Sequence, residues 1–136
     1  MNNLIENLKQ SPIGKNTPIS PSLLASANLK LKQSNLPPVP AKFAVLLQTF
    51  NGLSNEGALV FGAEINSTLF IDLIKYNQTF FRGNPSKLLV LGYDEVFFLL
   101  FDSKANQYHI VDRDTFEPEL SSDEIDDPIA YLLRIA

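Results

Sequence analysis

The feature that most limits the fold is VFFLLF, residues 96 to 101, the longest apolar run in the chain, bounded by Asp94-Glu95 and by Asp102. It falls far short of the roughly 18 residues that a membrane-spanning helix needs. Apolar at every position and enclosed by turn-forming residues, it reads as a strand with no solvent-facing side. The chain must therefore build a sheet and cover both of its faces.

The flanking sequence supplies the neighbours. Leu88 to Leu91 and Tyr108 to Asp112 read as strands, with Gly92-Tyr93-Asp94-Glu95 and Asp102-Ser103-Lys104-Ala105-Asn106 as the turns between them, an antiparallel meander. Asn2 to Gln10 reads as a short amphipathic helix with Leu4, Ile5 and Leu8 on one stripe, and the prolines of SPIGKNTPISP then predict a connector without regular structure. At Ser20-Pro21 a good N-cap precedes proline at the first helical position, and Leu23, Leu24, Ala27 and Leu31 follow at helical spacing to an end near Ser34. Prolines push Leu36 and Val39 toward extended geometry, so Leu36 to Pro38 is a bend and a helix starts near Val39 or Pro40. Phe43, Leu46, Leu47 and Phe50 form its apolar stripe, and Gly52 is expected to close it.

A polar loop, Leu53 to Gly57, leads to a short strand in ALVFG, residues 58 to 62. STLFIDLIKYNQTFF carries Leu69, Phe70, Leu73, Tyr76, Phe80 and Phe81 at helical spacing, although its β-branched and aromatic content also allows a strand; Asn84-Pro85 should end it. In SSDEIDDPIAYLLRIA, serine and acids suit a helix N-terminus, and Ile129, Leu132, Leu133 and Ala136 form a stripe expected to dock on the sheet. The sum is an α+β fold: one domain over 1 to 136, an antiparallel sheet packed with N-terminal, middle and C-terminal helices, residues 1 to 20 being a short helix and proline-rich connector.

At 136 residues such a chain can bury a sizeable core, and 45% hydrophobic with 19% charged residues describes a folded protein rather than a disordered one. There is no cysteine, which excludes disulfides, thiolate zinc sites and cysteine nucleophiles and suits a reducing compartment. MNNLIENLKQ lacks the basic segment and long apolar run of a signal peptide, so a cytoplasmic protein without membrane attachment is expected.

The net charge of −4 is unevenly held. Residues 1 to 75 carry six basic and four acidic side chains, whereas residues 76 to 136 carry five basic and eleven acidic. Eight of the acids, Asp112, Asp114, Glu117, Glu119, Asp123, Glu124, Asp126 and Asp127, crowd one segment that holds a single base, Arg113. Such a surface repels phosphate backbones and attracts a basic partner; a solvated face that aids solubility is the plainer alternative. These eight residues are the candidate partner-binding set, with Leu53 to Gly57 as a second possible contact surface.

Signals for catalysis are sparse. The one histidine, His109, lies in the strand QYHIVD, where a structural or surface role is the default. Asp94, Glu95 and Asp112 could supply paired carboxylates, but acid and base roles require environments that push their pKa values apart. There is no glycine-rich phosphate loop, and the aromatics fit the core rather than a stacking platform for nucleic acid. No cofactor and no metal are implied.

With the elements in place, Leu36-Pro37, Phe43, Leu46-Leu47 and Phe50-Asn51-Gly52 resemble the "LP..Y..FL...NG" core of the SUKH superfamily, in the branch of the yeast Smi/Knr cell-wall assembly regulators and the bacterial YrhA-like proteins. Val60-Phe61-Gly62, Asp72-Leu73-Ile74 with Asn77, Leu91-Gly92-Tyr93-Asp94, Phe101-Asp102 and Tyr108 to Asp112 are similar, in order, to the pieces that follow. Phe43 stands where tyrosine is usual, Pro38 and Pro40 crowd the bend, and the segment from Ser11 to Pro21 is longer than the pattern. The resemblance implies a domain that binds proteins and is not an enzyme. Many bacterial members are immunity proteins that neutralise nuclease, deaminase or other toxin domains by binding them, and the yeast branch suggests a regulatory adaptor instead. A monomer or weak dimer is expected, and the motif residues belong to the fold rather than to a contact surface.

Overall fold

The computed structural model describes residues 2–80 and 87–135. In chain order the elements are α1 (Asn2–Gln10), β1 (Gly14–Lys15), α2 (Pro21–Gln33), α3 (Ala41–Leu47), β2 (Leu53–Asn55), β3 (Ala58–Val60), α4 (Leu73–Phe80), β4 (Leu88–Tyr93), β5 (Phe97–Asp102), β6 (Gln107–Asp112), β7 (Pro118–Ser122) and α5 (Asp126–Leu133). All the strands join one antiparallel sheet in simple sequence order, β1 to β7. The fold is α+β, as the apolar run and its flanking turns require.

Strand β5 behaves as its composition demands from Phe97 onward, but Val96, counted in the apolar run, precedes the strand in the turn and is exposed. Alternation sends Phe97, Leu99 and Phe101 to one face and Phe98 and Leu100 to the other. On the first face the Phe97 ring meets Tyr131 of α5 edge-on at 5.8 Å; on the second, Phe98 meets Phe80 of α4 at 5.0 Å. Leu99, on the first face, is fully buried and pairs with Ile110. Helix α2 starts as expected, with the Ser20 hydroxyl accepting from Leu23 N at 3.2 Å and Pro21 in the first turn, and it ends at Ser34. Phe43, Leu46 and Leu47 of α3 are buried.

Three polar side chains are buried among the described residues: Asn51, Asn77 and Asp94. Each takes the place of a missing backbone partner. Strand β3 reaches only as far as Gly92 and Tyr93 on β4. Past its end, the fully buried Asn77 reaches across from α4, accepting from Val90 N at 2.7 Å and donating to Val90 O at 2.8 Å. Asn51 does the same for Ala63, accepting from its N–H at 2.8 Å and donating to its carbonyl at 2.9 Å. A primary amide has the donor and acceptor of a peptide group, so it can stand in for a strand. Gly62 lies against Asn51 so closely that a Cβ would collide with the Asn51 main-chain and side-chain oxygens.

Several expectations are corrected. The proline-rich connector is not wholly irregular: Gly14 and Lys15 pair with Ser54 and Leu53, at an approach so close that a Cβ at Gly14 would make the Ser54 hydroxyl turn away. Leu53 to Gly57 is not a loop but strand β2 and a two-residue hairpin turn, with φ of 48° at Glu56 and 88° at Gly57. Helix α3 ends at Leu47 with Gln48 as cap, so Gly52, at φ 118°, redirects the chain toward β2 instead of stopping the helix, and Phe50 is half-buried. Leu23 is exposed rather than on the inner stripe. Helix α4 begins only at Leu73, leaving Leu69 exposed in the preceding loop, because Asp72 accepts from Lys75 N at 3.2 Å and starts the helix there. Gly92 and Tyr93 lie in β4, and the turn begins at Asp94. Phe81, Asn84-Pro85 and Ala136, on which further expectations rested, lie outside the described residues.

Candidate functional site

The acidic segment forms the last hairpin of the sheet and the entry to α5. Strand β7 pairs only with β6 among the described residues, so its other edge faces outward. Proline at its first position and glutamates beside it fit an edge strand, since Pro lacks an N–H and charge opposes pairing with another sheet.

Between β6 and β7, the Asp112 carboxylate accepts from Asp114 N at 2.8 Å and Thr115 N at 3.1 Å. Those N–H groups, Thr115 first and Asp114 second, hold the carboxyl below its ordinary value by stabilising the charged form. Asp112 N donates to Glu117 O at 2.9 Å, and Phe116 N donates to Asp112 O at 2.8 Å. Phe116 has φ 61°, with its ring 5.8 Å from Phe98 and its surface 40% exposed.

Arg113 does not neutralise the acids around it. Its guanidinium lies 4.9 Å from the ring centres of both Tyr93 and Phe98, and its Nη1 donates to Asp94 O at 2.6 Å. The Tyr93 and Phe98 rings continue into a chain with Phe61, Tyr76 and Phe80. Burial pushes the Tyr76 hydroxyl above its usual value, against the pull of Arg113. The sole base of the segment thus turns onto aromatic faces, and the loop surface is left to Asp114 and Glu117.

At the far end of β7 the acids are partly engaged. Glu124 pairs with Lys42 at 2.8 Å, and that hydrogen bond raises the lysine. Lys42 also donates to the Asp123 carbonyl at 3.4 Å. Asp126 and Asp127 occupy the first turn of α5 and border a recess shared with Asn3, Leu4 and Asn7 of α1. Tyr108, buried near this end, is pushed up to about 12 by burial, with Glu124 adding to the effect.

The eight acids are therefore not one cluster. Asp112, Asp114 and Glu117 lie at one end of β7, and Asp123, Glu124, Asp126 and Asp127 at the other, with Glu119 between. At about 3.3 Å per strand residue the two groups stand roughly 20 Å apart. Asp114, Glu117, Glu119, Asp123, Glu124 and Asp127 are exposed, whereas Asp112 and Asp126 are partly covered. Of the second surface, only the hairpin tip at Glu56 and Gly57 is exposed; Asn55 donates to Leu133 O at 2.7 Å, tying β2 to α5.

The carboxylates considered for acid and base work belong to separate turns. Asp94 accepts from Val96 N at 2.8 Å and Phe97 N at 2.7 Å, closing the β4–β5 turn, and Arg134 stands 3.6 Å from its other oxygen. Glu95 is exposed on that turn, and Asp112 closes a different one. His109 Nδ1 and the Ser121 hydroxyl share a hydrogen bond of 2.7 Å across β6 and β7. Among the described residues, no three His, Asp or Glu side chains converge as a metal site, and no helix is long and apolar enough to cross a membrane.

Two features were not read from the sequence. The edge strand β7 was hidden in the acidic run, because an exposed strand need not alternate. The stacking of Arg113 was missed as well, and its signal was that a lone base in so acidic a segment needs a reason to be there. No family model matches the chain, and a search of curated proteins likewise finds no match.

Proposed function

We propose that this chain is a non-catalytic, cytoplasmic protein-binding domain of the SUKH type, an immunity protein that neutralises a cognate bacterial toxin domain by stoichiometric contact. The observation that carries this reading is the exposed acidic edge. Asp114, Glu117, Glu119 and Asp123 flank a strand whose outer side is unpaired among the described residues, while Arg113 is drawn away onto Tyr93 and Phe98. An acidic surface of this kind speeds association with a basic nuclease or deaminase domain and competes for the site that holds its phosphate-bearing substrate. The SUKH assignment draws support from the buried amides: Asn51 and Asn77, both in the pieces that carry the resemblance, are spent on backbone groups and leave binding to other residues.

The test is co-purification with the product of the neighbouring gene, followed by a toxin-protection assay with Asp114, Glu117, Glu119 and Asp123 all changed to Lys. The side chains of these four are exposed and hold no other part of the fold among the described residues, so the variant should fold, lose complex formation and lose protection. Full protection by the folded variant would remove the acidic edge from the mechanism. Capture of several unrelated cellular proteins through this face, in place of one toxin, would favour a regulatory adaptor.

A further inference from the structure

We propose that Asn51-Gly52 is a latent modification site, at which unfolding exposes the chain to spontaneous, irreversible deamidation that the native fold suppresses. The chemistry needs only water. The Gly52 nitrogen attacks the Asn51 side-chain carbonyl carbon, ammonia leaves and a succinimide forms; water then opens the ring to aspartate or isoaspartate. Glycine after asparagine favours the attack because no side chain shields its nitrogen. Ring closure requires the Asn51 amide to swing onto its own main chain, and the structure holds it elsewhere. Its oxygen accepts from Ala63 N at 2.8 Å and its nitrogen donates to Ala63 O at 2.9 Å, in a site only 7% exposed. The main chain is pinned as well: Asn51 N donates to Thr17 O at 3.2 Å, Asn51 O accepts from Asn16 Nδ2 at 3.0 Å, and Gly52 O accepts from Asn16 N at 3.1 Å. Reaction therefore waits on an opening that releases β1, β2 and the 61–63 segment together. The product cannot return. An aspartate has no N–H for the buried Ala63 carbonyl and sets a carboxylate against it, while isoaspartate lengthens the main chain where Gly62 leaves no room.

The chain carries its own control, because Asn66-Ser67 is also a deamidation-prone pair and Asn66 is exposed. The full chain is incubated at mildly alkaline pH with and without concentrated guanidinium chloride, and each site is followed by peptide mass spectrometry. Unfolded, Asn51 should react faster than Asn66; native, the order should invert, with Asn51 slowed on the order of a hundredfold or more. After denaturant removal, the refolded fraction should fall in step with Asn51 conversion and be indifferent to Asn66. Native conversion of Asn51 as fast as in denaturant, or full refolding of chains converted at Asn51, overturns the proposal.

Discussion

The loops on either side of β6 are the same device closed in two different ways. In the β5–β6 loop, Asp102 Oδ1 accepts from Lys104 N at 3.0 Å and Ala105 N at 3.2 Å. In the β6–β7 loop, Asp112 Oδ1 accepts from Asp114 N and Thr115 N at 2.8 and 3.1 Å. Each loop then turns through a residue of positive φ, 54° at Asn106 and 61° at Phe116. Asparagine enters that region readily, but a bulky side chain there costs on the order of 1 kcal/mol or more. The first loop is thus specified locally. The second needs Phe98, whose ring supports both Phe116 and Arg113.

Removing that support should have the largest effect. Phe98→Ala deletes a buried ring that touches Phe80, Phe116 and Arg113, and it should cost about 3–5 kcal/mol in denaturant unfolding. Hydrogen exchange should then speed up in the 113–116 loop and leave the 103–106 loop unchanged; equal loosening of both would erase the distinction. Next in size is Asn106→Val. A β-branched side chain is strained at positive φ, and a loss of about 1–3 kcal/mol is expected, whereas Asn106→Gly should leave the unfolding midpoint nearly unchanged.

A smaller effect in the second loop is read by pH. The Asp112 carboxyl is lower in the folded chain than in the unfolded one, so its contribution is present above the ordinary carboxylate range and is lost as pH falls through the depressed folded value. Asp112→Asn should remove that component. Urea midpoints measured from neutral to acidic pH should converge between wild type and variant as the pH drops; curves that stay parallel would show that the carboxylate charge plays no part in closing the loop.

The same contrast explains what the sequence revealed. Strand β5 was legible because its residues 97 to 101 are all apolar and turn-forming acids flank the run, and α2 because Ser20-Pro21 is a local start signal. Local chemistry writes such elements directly. Strands β1, β2 and β7 were not legible, since Gly14-Lys15, Leu53-Ser54-Asn55 and PELSS owe their conformation to the strand beside them. Helix α4 was overextended because Leu69 and Phe70 keep helical spacing with Leu73, while the start at Asp72 depends on its own hydrogen bonds and on the bridge from Gly62. At the candidate site, sequence supplied the acids; that they divide between the two ends of β7 follows from its pairing with β6, and that Arg113 leaves them follows from packing on Tyr93 and Phe98.

A further substitution with a small expected change in stability bears most on function. Phe116→Asn relieves backbone strain of about 1 kcal/mol and forfeits an aromatic contact worth roughly 0.5–1.5 kcal/mol. The two terms nearly cancel, and the unfolding free energy should stay within about 1 kcal/mol of wild type. A clear loss beyond that would make the ring a core residue that happens to reach the surface. A clear gain would mean that the chain tolerates strain which Phe98 does not offset, and strain of that kind is held where a side chain serves a surface role. The ring is 40% exposed between Asp114 and Glu117, where a cationic side chain of a basic partner would meet both a π face and carboxylates. If the chain acts as the immunity protein proposed above, Phe116→Asn should weaken toxin protection while sparing the fold, and unaltered protection would assign Phe116 to Phe98 alone.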